Sequence, residues 1–169
     1  LSGIRIPKGR MNTPHETKSR TLVLQSVHGD VEKLHDFLRS VTVEFLGDDA
    51  HRDLIGSIIL SVHEVFTNIV RHAYGTTDGE VLLHYTYTPK GIIIEIIDHG
   101  TEFNPLESMK YPDIKILDEL ETIDDLLELE ESRLIGGHGI PIIQAATTST
   151  EYRRCPAGDN HLYMYFEIP

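Results

Sequence analysis

Glu64, Asn68 and His72 stand four residues apart in a stretch, Ser61 to Tyr74, that is otherwise largely apolar. On a helix that spacing stacks the three side chains along one face. A carboxylate at Glu64 can polarise an attacking hydroxyl or water, and the amide oxygen of Asn68, one turn on, is a neutral ligand for Mg2+. Two later stretches carry complementary chemistry. Asp98-His99-Gly100 follows a run of Ile residues, so its carboxylate would be poorly solvated. It could accept a hydrogen bond from an adenine amino group, with Gly100 letting the base approach the backbone. Gly136-Gly137-His138-Gly139 precedes a short helix and would present backbone N–H groups to an anion. Phosphoryl transfer asks mainly for positioning and charge neutralisation, so this modest set can suffice. Other chemistries drop out. His63-Glu64 does not open a zinc-protease motif, because Thr67 holds the place of the second His. No P-loop occurs, and the scattered His residues lack metal-ligand spacing.

The elements that must hold these groups follow from periodicity. Thr21 to Val27 is rich in apolar and β-branched residues and predicts a strand. Val31, Leu34, Leu38, Val41 and Phe45 recur at helical spacing, so a first helix is expected from an Asp30 N-cap to Leu46. The helix of Glu64 is expected from Ala50 to Tyr74, with Gly75 as its C-cap. Two strands, Glu80 to Thr88 and Ile92 to Ile97, flank Pro89-Lys90-Gly91 and predict an antiparallel hairpin. A short helix from Ile140 to Ala146 and strands at Thr150 to Arg154 and His161 to Ile168 complete the chain. The order predicts an α+β, two-layer α/β sandwich: a mixed, mostly antiparallel sheet with helices on one face.

Before Thr21 the chain reads as a disordered leader, with Met11 as a candidate start. The remainder, 21–169, reads as one domain, and 105–135 as a lid. In that lid, Asp118 to Glu131 holds eight acidic residues and no basic one, while Ile116, Leu120, Ile123 and Leu127 keep a helical repeat. With 169 residues and a formal net charge of −12, the chain suits one domain and is a poor non-specific nucleic-acid binder. Cys155 is the single cysteine, which points to a reducing, cytoplasmic setting rather than a disulfide framework. No apolar run is expected to reach the ~20 residues that cross a bilayer, so no membrane partner is expected.

Three segments read together are more specific than any one alone. Glu64-X-X-X-Asn68 with His72-Ala73-Tyr74, Asp98-X-Gly100-X-X-Phe103-X-Pro105 and Gly137-X-Gly139-Ile140 resemble the N, G1 and G2 boxes of the GHKL superfamily of histidine-kinase-like ATPases. Within it, the Phe-X-Pro after G1 and the tail Glu151-Tyr152-Arg153-Arg154 with Gly158-X-Asn160-X-Leu162 resemble anti-sigma-factor serine/threonine protein kinases. The resemblance implies a Bergerat-type ATP-binding fold with ATP and Mg2+ as cofactors. It implies Glu64 as the catalytic carboxylate and Asn68 as the Mg2+ ligand. It implies His72, Asp98, Gly100, Phe103, Gly137, His138, Gly139 and Ile140 as nucleotide-binding positions. It also implies an anti-sigma-factor antagonist as phosphoacceptor, a sigma factor as second partner, and a homodimer. The alternative of another class is a non-catalytic ATP-binding module that docks a partner without transferring phosphate.

Overall fold

The structure, a computed structural model, describes residues 17–47, 51–104, 143 and 145–169. Five strands, β1 (Lys18–Gln25), β2 (Glu80–Thr88), β3 (Gly91–Asp98), β4 (Ser149–Arg154) and β5 (Asn160–Glu167), form one sheet in the order β1-β2-β3-β5-β4. All four pairings are antiparallel. Two helices, α1 (Val31–Leu46) and α2 (Arg52–His72), lie between β1 and β2 in the chain. The fold is therefore the expected α+β sandwich, and its sheet is antiparallel throughout the described strands.

Alternation along the strands builds the core. Leu24, Val81, Leu83, Tyr85, Ile92, Ile94, Ile96, Leu162, Met164 and Phe166 all point inward and are buried with Leu34, Leu38, Ile58, Val62 and Phe66 of the helices. Each such side chain contributes about 1.5–3 kcal/mol on burial. The edge strand β4 alternates between half-buried and exposed positions. There Arg153 and Glu151 bond to each other at 2.7 Å, a charged edge of the kind that discourages further strand pairing. On the outer face, His161 Nδ1 lies 2.8 Å from Glu95 Oε1. Burial would raise the Glu95 pKa, but hydrogen bonds from His161 and Tyr163 outweigh it and hold the carboxyl below its usual range.

Several boundaries differ from expectation for physical reasons. β1 begins at Lys18, so Lys18, Ser19 and Arg20 belong to the sheet and not to a leader. They pair with Tyr87, Thr86 and Tyr85, a partnership that their polar side chains do not reveal. Asp30 sits at the α1 N-cap without a side-chain cap bond; its Oδ2 instead accepts the Gln25 N–H at 2.8 Å. α2 ends at His72, and Gly75 takes its positive φ of 64° in the turn beyond. α2 also corrects the membrane expectation: by length and a mean hydropathy of 1.4 it could cross a bilayer, yet 67% of that window is buried in this fold. A helix clasped between α1 and a sheet becomes apolar on most of its circumference. Of the expected helix Ile140 to Ala146, Ile143, Ala145 and Ala146 are helical and the other positions lie outside the described residues. The leader at 1–16, the lid after Asn104 and its acidic run lie outside them as well.

One buried pair gives the fold an alkaline signature. The Tyr85 hydroxyl, fully buried, lies 3.0 Å from Thr42 Oγ1. Burial pushes its pKa up to about 12, against a smaller opposing effect of the bond to Thr42. The folded state thus prefers the protonated phenol. This contribution is complete below pH 10.0 and is lost as pH rises from there through about 12. Tyr85→Phe should lose about 1 kcal/mol at neutral pH, the worth of a hydrogen bond. It should also show a shallower fall in stability across that alkaline window than the native chain. Urea melts of both proteins at pH 7 and across the window check it; parallel curves would refute it.

Candidate functional site

Of the residues singled out for chemistry, Asn68, His72, Asp98 and Phe103 sit where the C-terminal half of α2 meets the ends of β3 and β5. Asn68, His72 and Ala73 of α2 and its following turn, Asp98, Thr101 and Phe103 at and beyond β3, and Tyr152, Asn160 and Leu162 of β4 and β5 line one pocket. Its empty space, counting the mouth open to solvent, is about 470 Å³. Val65, Ile69 and Ile96 supply apolar wall. Phe103, 38% exposed, stands over His72 with ring centroids 6.4 Å apart, so two flat side chains flank the opening.

The end of α2 is fastened to the loop after β3. Thr101 N–H donates to Ala73 O at 2.7 Å. The Tyr74 hydroxyl accepts the His99 N–H at 2.8 Å and donates to Glu80 O at 2.8 Å. Burial raises the Tyr74 pKa, and the opposing bond from His99 does not reverse it. Gly100 completes the junction in a way its sequence context does not show. A Cβ there would stand 2.5 Å from Ala73 Cβ and 2.6 Å from Ala73 O. The close approach that Gly100 permits in this structure is that of the α2 terminus.

Asp98 is the buried polar group of the pocket, at 6% exposure. Its Oδ1 accepts the Gly100 N–H at 2.8 Å and Asn160 Nδ2 at 2.9 Å. Among the described residues its other oxygen has no hydrogen-bond donor. Asn160, 5% exposed, lines the pocket without having been among the candidate site residues. It stands directly opposite Asp98 in the β3–β5 register, and Tyr152 and Arg154 donate to its Oδ1 at 2.7 and 2.6 Å. Burial and then the charge of Glu102 raise the Tyr152 pKa. The only sequence signal for Asn160 was the Gly158-X-Asn160-X-Leu162 tail.

Glu64 lies one turn before Asn68, 5% exposed, with Oε1 buried and, among the described residues, without a hydrogen-bond partner. An orphaned buried carboxylate oxygen is costly in a resting fold and signals a site built for a proton, a hydroxyl or a cation. Among the described residues, no group of three or more His, Cys, Asp or Glu side chains could hold a metal. Mg2+ in phosphoryl-transfer sites takes one or two protein oxygens and completes its shell with phosphates and water. Asn68, in the pocket wall beside the unpartnered Glu64 Oε1, fits that requirement, and adenine fits the unengaged Asp98 oxygen. Gly137, His138, Gly139 and Ile140, the expected phosphate-side wall, lie outside the described residues.

No curated protein matches the chain. Residues 27–166 match the family model of the histidine kinase-like ATPase domain. That span begins just after β1 and takes in every residue of the pocket.

Proposed function

The chain belongs to the histidine kinase-like ATPase domain family, and on that premise we propose that it is an ATP-dependent serine/threonine protein kinase of the anti-sigma-factor type. It would phosphorylate a small antagonist protein in a partner-switching system and sequester a sigma factor in the alternative state. The observation that supports this best is convergence: Asn68 of α2, Asp98 of β3 and Asn160 of β5 line one pocket, while Glu64 Oε1, one turn away, has no partner among the described residues. Partners of this kind put the protein in the cytoplasm. The net charge of −12 suits contact with a protein rather than directly with nucleic acid.

Bound ATP would supply the transferable phosphoryl group and Mg2+ its charge neutralisation. The chain's own residues do the rest. Asp98 accepts from the base and sets its depth in the pocket. Phe103 and His72 cover the opening, and Asn68 offers its amide oxygen to the cation. Glu64 receives at Oε1 the proton of the attacking Ser or Thr hydroxyl.

The test pairs binding with transfer. ATP with Mg2+ should raise the melting temperature of the whole chain, by about 2.7 kcal/mol of added stability at a hundredfold excess over Kd. Labelled ATP should then place phosphoserine or phosphothreonine on a cognate antagonist domain. Binding without transfer to any antagonist would leave the docking module as the correct reading. A folded chain indifferent to ATP would overturn both.

A further inference from the structure

Asn160 has a chemically fixed orientation. Arg154 Nη1 lies 2.6 Å from one amide atom, and a guanidinium can only donate, so that atom is the oxygen. The Tyr152 hydroxyl donates to the same oxygen at 2.7 Å. The opposite atom must then be the NH2. It faces Asp98 Oδ1 at 2.9 Å, and the carbonyls of Thr101 and Gly100 at 3.2 and 3.5 Å. Every group around that NH2 is an acceptor. With the Gly100 N–H also on Oδ1, the Asp98 carboxylate is held in one rotamer and offers its remaining oxygen as an acceptor.

We infer that Asn160, locked by Arg154 and Tyr152, is the positioning residue through which Asp98 selects a 6-amino purine over a 6-oxo purine. The inference rests on the nucleotide reading above and deepens it. A 6-amino purine presents a donor at position 6 and an acceptor at N1; a 6-oxo purine reverses both. A carboxylate oxygen fixed opposite position 6 bonds the amino group and repels the carbonyl. Released from Asn160, the carboxylate can shift to accept the N1–H of the 6-oxo base, and discrimination falls. Asn160 acting only as a strand-pair filler would change stability and weaken both nucleotides alike.

Calorimetric titration of the whole chain with ATP and with inosine triphosphate separates these. The native chain should prefer ATP by about 100-fold, the worth of one hydrogen bond to a charged group. In Asn160→Ala the preference should fall below about 10-fold, ATP binding more weakly and inosine triphosphate no more weakly than before. Should that variant not fold, Arg154→Met, at a half-buried edge position, should lower the preference about threefold. Equal weakening of both nucleotides, or an unchanged ratio in a folded variant, overturns the inference. In the nucleotide-free protein, the Asn160 side-chain amide protons should exchange slowly by NMR and lose that protection in Asp98→Ala. Free exchange with intact ATP binding sinks the Asn160 role alone. Protected protons in a chain that binds no nucleotide sink the nucleotide reading, and the selectivity with it.

Discussion

Asp98→Asn is expected to weaken ATP binding about 100-fold while leaving the fold nearly as stable as the native one. The two donors that pin Asp98 Oδ1, Gly100 N–H at 2.8 Å and Asn160 Nδ2 at 2.9 Å, can be met equally by an asparagine oxygen. No buried donor is orphaned, so stability should change by no more than about 1 kcal/mol. The same two donors dictate which way the new amide faces. Its NH2 must take the place of the second carboxylate oxygen and meet the adenine amino group as donor against donor. A charge-assisted hydrogen bond is worth roughly 1.5–3 kcal/mol, and each 1.4 kcal/mol is about tenfold in affinity, which sets the size of the effect. Asp98→Ala is a poorer probe, because it strands both buried donors at about 1–3 kcal/mol each. Calorimetric Kd values with urea melts on the same samples decide the matter. An Asn variant that binds ATP within about threefold of the native chain would remove Asp98 from the base-recognition role.

The contrast between Asp98 and Asn160 shows what a linear reading reaches. Asp98 was legible because it ends an Ile-rich strand beside a glycine, so its poor solvation could be inferred from its neighbours. The line of Glu64, Asn68 and His72 was legible because helical spacing is a local property. The β2–β3 hairpin announced itself through Pro89-Lys90 between two apolar runs. Asn160 carries no such local mark. Its role arises from a register between strands whose residues lie 62 positions apart, and register is set by the whole sheet. Gly100 shows the same limit: sequence shows that a Cβ is absent, but only the fold shows that Ala73 fills the space. Lys18 to Arg20 looked like leader because an edge strand needs only one good backbone partner, here β2.

Glu64→Met should produce a protein that is more stable and unable to transfer phosphate. In the native chain Glu64 is 5% exposed and its Oε1 has no partner among the described residues. Burying a polar group without a hydrogen bond costs about 1–3 kcal/mol on mutational scales. Met has nearly the same length and no such atom, and its flexible thioether adapts to irregular space. Stability should therefore rise by about 1–3 kcal/mol, read as a higher urea midpoint at unchanged slope. Since Glu64 is not among the residues lining the base pocket, ATP affinity should stay within about threefold of native. Transfer to an antagonist domain should fall by about 10²–10⁴, the usual worth of a general base. Gain of stability with loss of turnover is the mark of a residue kept for chemistry at the expense of packing. A Glu64→Met chain that is less stable than native would mean that the carboxylate serves the fold, and one that still transfers phosphate at the native rate would mean that the base lies elsewhere.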